Sequence, residues 1–181
     1  MLNRLRKVVL FLLVFLLLLA FLPPLLLGVI FPAKYSDLVE LYSAEFQISS
    51  HIIYAIIKTE SNFDKDAVSP AGASGLMQLM PDTFSWIAEV LGESREITDI
   101  FNPEINIRDG VFYLNYLYQH YLDWNLVFAA YNAGMGNVNR WLLSPQYSRE
   151  GKLTYIPFQE TRNYVRLISR RAKIYKKLYS I

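Results

Sequence analysis

The feature that most constrains this chain is a run of 24 residues without a charged side chain, at positions 8–31. At about 1.5 Å per residue, a helix of this length extends about 36 Å, and the hydrocarbon core of a membrane is about 30 Å thick. Pro23 and Pro24 interrupt the run near its end, where membrane helices tolerate a break. The run therefore predicts a transmembrane anchor over residues 8–31.

Basic residues precede this run, and residues 1–31 contain no acidic residue. Because positively charged flanks stay on the cytoplasmic side, residues 1–7 are expected in the cytoplasm. The rest of the chain then lies outside the cytoplasmic membrane after a single pass. The alternative is a cleaved secretory signal with its apolar core at residues 10–22. Cleavage after Gly28 or Ala33 would leave Leu26 or Phe31 where a small residue is required, so an uncleaved anchor is favoured.

Charge and composition exclude several classes of function. Residues 32–161 hold 8 basic and 16 acidic residues, a net charge of −8, whereas residues 162–181 hold seven basic and no acidic residues. Such an acidic body disfavours a nucleic-acid partner, which needs clustered cations. The chain has no cysteine, and His51 and His120 stand far apart, so we expect no disulfide and no zinc site.

Residues 35–181 are predicted to form one all-α domain, because apolar residues recur at helical spacing and no segment alternates with a period of two. Residues 64–80, which include Pro70, Gly72 and Gly75, are predicted to form an ordered loop. Ser36, Ser49 or Ser50, and Asp123 are candidate helix caps. The predicted helices cover about 36–45, 50–60, 81–91, 103–121, 124–133, 138–142 and 158–179.

Glu60 is the first candidate for chemistry. It follows Ile53, Ile56 and Ile57 at helical spacings, so a carboxyl group ends an apolar stripe that should face the core. An apolar environment raises the pKa of a carboxyl group, as a general acid requires. The alternative is a helix-end glutamate that turns into water or pairs with Lys58.

Other polar residues could meet this carboxyl group. The loop after Glu60 is expected to fold back and bring Ser69 and Gln78 toward it. Tyr131 and Asn132 suit a sugar ring and its N-acetyl group, although a tyrosine packed at a helix end explains this pair equally well. Glu160 falls in the first turn of the last helix, where a carboxylate interacts well with the helix dipole.

Four motifs occur in one order along the chain, and together they are far more specific than any one of them. They are Glu60-Ser61, Gly75-Leu76-Met77-Gln78, Ala130-Tyr131-Asn132-Ala133-Gly134, and Glu160-Thr161 with Tyr164-Val165. Over about residues 35–170 the chain closely resembles the catalytic domain of soluble lytic transglycosylases, a lysozyme-like, all-helical family that cleaves peptidoglycan. Asn102-Pro103, Asn106-Ile107, Gly110 and Tyr113-Leu114 also match the family pattern.

The resemblance implies a single catalytic acid/base, Glu60, and no metal or organic cofactor. It implies that Glu60 protonates the glycosidic oxygen between N-acetylmuramic acid and N-acetylglucosamine, then takes the proton of the muramoyl 6-hydroxyl, which closes a 1,6-anhydro ring. The implied partner is the peptidoglycan glycan strand. The residues implied to bind it are Ser69, Gln78, Met80, Tyr131, Asn132 and the acidic Glu160, with Asn132 alternatively holding the helix end.

Two other functions remain open. A lysozyme-type hydrolase of the same fold would usually need a second carboxyl group, and Asp64, Asp66 and Asp82 are the nearest in sequence. A membrane-tethered, non-catalytic glycan-binding scaffold would have no need of an acid on an apolar stripe. The basic residues of the last helix indicate either a solvated face or a contact with anionic lipid or wall polymer.

Overall fold

The computed structural model describes residues 4, 6, 7, 10, 11, 15 and 26–179. The predicted membrane anchor at residues 8–31 therefore lies mostly outside the described residues. Within the described residues, no helix is both long enough and apolar enough to cross a membrane.

Seven α-helices account for most of residues 36–179, and the predicted all-α architecture is confirmed. A 3-10 turn at Ile97–Phe101 precedes the longest central helix, and two-residue strands at Ser148–Arg149 and Lys152–Leu153 pair as an antiparallel hairpin. Neither short element was predicted. The helices are α1 (Ser36–Phe46), α2 (Ser50–Glu60), α3 (Pro81–Leu91), α4 (Pro103–Tyr121), α5 (Trp124–Ala133), α6 (Met135–Leu143) and α7 (Gln159–Tyr179).

Local sequence explains several helix starts. The side chain of Asn102 accepts hydrogen bonds from the first turn of α4, and that of Asp123 does the same for α5. The cap predicted at Ser36 is wrong, because Tyr35 is the N-cap of α1. Ser49 occupies the predicted N-cap position of α2, but its side chain makes no cap hydrogen bond. Helix α6 begins earlier than predicted, because Gly134 has a φ of 82° and turns the chain directly from α5 into α6.

Packing of α7 against α2 and α5 brings the two ends of the domain sequence together. Ile53, Ile56 and Ile57 are fully buried, which confirms that the apolar stripe of α2 faces the core. Burial of each such side chain stabilises the fold by about 1.5–3 kcal/mol. Since Glu60 ends this stripe, it is held beside the buried face of α7.

Candidate active site

Glu60 is the last residue of α2 and is partly buried. The Tyr164 hydroxyl of α7 donates a 2.5 Å hydrogen bond to its Oε1. Burial raises the pKa of Glu60 to about 7, while the hydrogen bond from Tyr164 acts in the opposite direction. Near neutral pH, both the protonated and the ionised form of Glu60 are therefore well populated, which suits a group that first donates and then accepts a proton.

The loop after Glu60 is attached directly to the end of its helix. The buried Ser61 hydroxyl donates to the Leu76 carbonyl oxygen at 2.8 Å and accepts from the Phe63 amide at 3.1 Å. This side chain thus connects the end of α2 to the Gly75–Gln78 motif. Leu76, its partner in that motif, lies 15 residues after Ser61 in the chain. The predicted folding back of residues 64–80 over the helix end is confirmed.

Asn106 holds the same loop from the opposite side. This fully buried residue accepts a 2.7 Å hydrogen bond from the Met77 amide and donates to the carbonyl oxygens of Ile100 and Ser74, at 2.8 and 3.1 Å. Gly75 has a φ of 80°, and a Cβ atom there would lie 2.2 Å from Asn106 Nδ2. A glycine is therefore required where the loop meets the Asn106 amide.

The end of α5 contributes the Tyr131-Asn132 pair. Tyr131 donates a hydrogen bond to the Met77 carbonyl oxygen at 2.8 Å, and Asn132 Oδ1 accepts from the Thr161 hydroxyl of α7 at 2.7 Å. Burial, followed by the charge of Glu60, raises the pKa of both Tyr131 and Tyr164 well above the ordinary tyrosine value. Both hydroxyls therefore stay protonated close to the Glu60 carboxyl group.

A cavity of about 270 Å³ brings together four of the predicted binding residues. Carboxylates are absent among its lining residues, and an aromatic wall is formed by Tyr113 and Tyr131, whose ring centres are 5.6 Å apart. Its lining consists of Gln78, Leu79, Met80, Thr83, Tyr113, Tyr131, Asn132, Ala133 and Gly134.

Three predicted site residues have contacts other than those expected. Ser69 accepts a hydrogen bond from the Ala73 amide within a tight turn, and Gln78 donates its amide hydrogens to loop carbonyl oxygens rather than to Glu60. Glu160 is exposed in the first turn of α7 and does not line the cavity. Their roles toward a ligand stay predictions.

A larger cavity of about 860 Å³ lies between the β-hairpin, the start of α5 and α7. It is lined by none of the residues that the sequence marks for chemistry. Glu60 itself is not a lining residue of the smaller cavity, but its charge raises the pKa of Tyr131, which is one. The smaller cavity is therefore the better candidate for the reacting groups.

Comparison with known proteins assigns the chain to a family. Residues 37–153 match the family model of the transglycosylase SLT domain. The chain belongs to this family. It is 39% identical over 142 residues to the soluble lytic murein transglycosylase of Salmonella typhimurium, covering 75% of this chain and 22% of that protein.

Two further comparisons agree with this assignment to the SLT family. The membrane-bound lytic murein transglycosylase C of Edwardsiella ictaluri is 30% identical over 169 residues, which cover 80% of this chain and 47% of that protein. The structure of an inactive glutamate-to-glutamine mutant of lytic transglycosylase Slt from Pseudomonas aeruginosa superposes with a TM-score of 0.76 and 33% identity, over 85% of this chain and 26% of that one. The fold is the lysozyme-like fold of lytic transglycosylases, and the chain spans about a fifth to a half of the length of these relatives.

Sequence reasoning did not assign roles to three residues of this SLT domain. Tyr164 and Thr161 were recognised as parts of a motif, and Asn106 as a match to the family pattern. The signal that could have identified Asn106 is its position within the first two turns of α4 beside the apolar Ile107 and Val111, where a buried amide must find partners. Tyr164 has no comparable local signal, because its partner lies 104 residues away.

Replacing Tyr164 by phenylalanine should raise the pKa of Glu60 further. The hydrogen bond from Tyr164 stabilises the ionised form of Glu60, so its removal favours the protonated form. We expect kcat/KM of the parent protein to decline above about pH 7 and the decline of the variant to begin at higher pH. Maximal activity should fall about tenfold, since a hydrogen bond to a charged group contributes about 1.5–3 kcal/mol. An unchanged pH profile would show that Tyr164 does not act on Glu60.

Replacing Glu60 by glutamine should stabilise the fold at high pH. The pKa of Glu60 is 4.5 in an ordinary environment and about 7 in the folded protein, so the folded state holds the additional proton between these values. The contribution of this proton to the free energy of unfolding is therefore fully present below about pH 4.5 and is lost as the pH rises through 7. Urea unfolding should show a gain for the variant of up to about 3 kcal/mol at pH 8 and almost none at pH 4. A gain in the free energy of unfolding that does not depend on pH would contradict the raised pKa of Glu60.

Proposed function

We propose that this protein is a peptidoglycan lytic transglycosylase, which cleaves the β-1,4 bond between N-acetylmuramic acid and N-acetylglucosamine without water. The observation that carries the proposal is one partly buried carboxyl group, Glu60, with a pKa of about 7, whose charge acts on Tyr131, a lining residue of an amide- and aromatic-lined cavity without carboxylates. The soluble and membrane-bound relatives are both named lytic murein transglycosylases, which supports the same activity here.

In the first step, protonated Glu60 donates its proton to the glycosidic oxygen. The bond between that oxygen and the muramoyl anomeric carbon breaks, and N-acetylglucosamine leaves as an alcohol. Positive charge develops on the muramoyl ring as it takes on oxocarbenium character. The hydroxyl of Tyr164 stabilises the Glu60 carboxylate that forms, because it donates to Oε1.

In the second step, the Glu60 carboxylate removes the proton of the muramoyl 6-hydroxyl group. The oxygen then bonds to the anomeric carbon and closes the 1,6-anhydro ring, which returns Glu60 to its protonated form. One group with a pKa near the working pH serves both steps, so the cycle consumes neither water nor a cofactor.

The same cavity supports binding of an N-acetylated sugar. Tyr113 and Tyr131 offer aromatic faces, and Gln78 and Asn132 offer amide groups to hydroxyl or acetamido substituents. We assign Ser69 and Glu160 to parts of the binding groove outside this cavity, and Met80 to the cavity's edge. Met80 is exposed at the rim, and Glu160 stands at the start of the helix that carries Tyr164.

A hydrolase of the same fold is less well supported, because most such enzymes use two carboxyl groups on either side of the scissile bond. Asp64, Asp66 and Asp82 are exposed and do not line the cavity. Asp66 is paired with Lys65, and Asp64 accepts a hydrogen bond from the Asp66 amide. These are the contacts of ordinary surface carboxylates.

The decisive experiment is mass spectrometry of the muropeptides that the full chain releases from purified peptidoglycan. Products with 1,6-anhydromuramoyl ends are expected. Reducing muramoyl ends would establish a hydrolase instead and would direct attention to Asp64, Asp66 and Asp82. Binding to peptidoglycan without any release, by folded protein, would support the scaffold function.

We also propose the arrangement of the chain in the cell. Residues 1–7 lie in the cytoplasm, residues 8–31 form a single-pass anchor in the cytoplasmic membrane, and residues 35–181 form the catalytic domain outside it. The membrane-bound relative supports association with a membrane. Because the parent chain has no cysteine, single cysteines placed at Asn3 and at the exposed Ser94 test the topology. A membrane-impermeant maleimide should label intact cells at Ser94→Cys and not at Asn3→Cys, and the reverse result would refute the arrangement.

A further inference from the structure

Helix α7 presents a straight cationic stripe on its exposed side. Arg166, Arg170, Lys173 and Lys177 follow one another at spacings of four, three and four residues, so they share one face of the helix. All four are exposed, and the stripe extends about 16 Å. The opposite face, with Ile168 and Tyr175, is fully buried and fixes the orientation of the stripe on the domain.

Acidic residues do not neutralise this stripe. Residues 162–181 contain no acidic residue, and within residues 26–179 none of these four side chains forms an ion pair. Arg95 and Arg108, by contrast, are both paired with Glu93 and Asp109. Arg95 and Arg108 are therefore neutralised within the domain, whereas these four charges are available to an external partner.

The C-terminal end of α7 is attached to the point where the chain leaves the proposed anchor. Tyr175 donates a 3.0 Å hydrogen bond to the Pro32 carbonyl oxygen, and Tyr179 donates a 2.6 Å hydrogen bond to that of Phe31. The rings of Phe31 and Tyr175 also meet edge to face, with centres 5.7 Å apart. Lys177 thus lies between the two tyrosines of α7 that contact residues 31 and 32.

We propose that this stripe binds anionic phospholipid headgroups on the outer face of the cytoplasmic membrane and lays α7 along the membrane surface. The inference rests on the proposed anchor and is independent of the chemistry of Glu60. Lipid is favoured over a wall polymer because the stripe begins at the chain exit, within the short range over which a charged membrane surface attracts cations. Leu167, which is 38% exposed next to the stripe, adds an apolar contact.

Such docking would fix the height of the active site above the membrane. Tyr164, which contacts Glu60, lies only two residues before Arg166 on the same helix. A domain held by residues 31 and 32 at one end of α7 and by Arg166 at the other has little freedom to rotate. Its groove would then act on glycan close to the membrane.

The test uses the full chain reconstituted into vesicles, with Leu167→Cys carrying an environment-sensitive fluorophore. Vesicles of phosphatidylcholine alone are compared with vesicles containing 30% phosphatidylglycerol, and acrylamide serves as a neutral quencher. Binding of the protein to phosphatidylcholine vesicles measures insertion of the anchor. The difference in quenching between the two lipids measures docking of the cationic stripe. Anionic lipid should lower the quenching constant by about twofold or more, and added salt should restore it.

A triple variant, in which Arg170, Lys173 and Lys177 are changed to glutamine, should abolish the difference in quenching between the two lipids. Each cation near an anionic surface shifts the docking equilibrium about fivefold, so their joint removal is a large effect. A matched control changes Lys65, Arg140 and Arg149 to glutamine, which removes the same charge from other exposed positions, and it should behave as the parent protein. A fluorophore at the exposed Val90→Cys should show no lipid dependence.

Equal quenching on both lipids, or equal loss in the control variant, would overturn the proposal. Protection of Leu167→Cys by a soluble anionic polymer in place of anionic lipid would assign the stripe to the wall instead. Failure of 1,6-anhydro product formation would refute the proposed activity and leave the lipid result unaffected.

Discussion

Replacing Glu60 by glutamine is expected to reduce the rate of peptidoglycan cleavage by about 10⁴-fold, the upper end of what one general acid–base group contributes. The glutamine side chain neither protonates the leaving oxygen nor removes the 6-hydroxyl proton, so both steps lose their catalyst. Binding of glycan strands should persist, because the cavity residues are unchanged. Released 1,6-anhydro muropeptides, quantified by mass spectrometry against time, measure the effect.

The matched control for this variant is Glu89→Gln, which removes an exposed carboxyl group from α3. It should cleave at the parental rate. If Glu60→Gln retained more than about a tenth of the activity, its loss in transition-state stabilisation would be below 1.4 kcal/mol, and Glu60 would not be the proton donor.

Replacing Asn106 by leucine should lower the free energy of unfolding by about 3–5 kcal/mol, because three buried hydrogen bonds would be lost. The Met77 amide and the carbonyl oxygens of Ser74 and Ile100 would face an apolar side chain. The loop that carries Gln78 would then leave its position beside Tyr131, so kcat/KM should fall together with stability. Urea denaturation and the muropeptide assay measure the two effects.

Asn115→Leu is the control, because it makes the same change on the same helix at a partly exposed position. Asn115 accepts a hydrogen bond from the exposed Gln119 side chain, and its replacement should alter stability by less than about 0.5 kcal/mol. Equal destabilisation by the two variants would mean that the loss at Asn106 does not come from the loop contacts, since leucine is a better helix former than asparagine.

Local patterns predicted much of the fold. The spacing of Ile53, Ile56 and Ile57 placed one face of α2 in the core, and the side chain of Asp123 marked one helix start. Each of these signals acts over a few residues, within which backbone geometry dictates which groups meet. The prediction at Ser36 failed because a cap also depends on the backbone conformation, and Tyr35, in a left-handed conformation, occupies that position instead.

The candidate site was only partly predictable. Gln78, Met80, Tyr131 and Asn132 line one cavity, and their roles in binding stay predictions. Ser69 and Glu160 lie outside it, and the hydrogen-bond partner of Glu60 proved to be Tyr164 rather than a loop side chain. Motif order identifies which residues belong together, whereas hydrogen-bond partners depend on side-chain directions that spacing does not define.

Residue patterns alone indicate that this chain is helical, that an acid ends an apolar stripe at Glu60, and that its motifs occur in the order of the SLT family. Which distant groups act on that acid depends on how the helices pack. The packing of α7 on α2 sets Tyr164 against Glu60, and the buried Asn106 amide holds the loop beside it. The same packing joins Tyr175 to Pro32. Contacts between residues far apart in the chain arise from the packing of whole helices, and no local pattern encodes that packing.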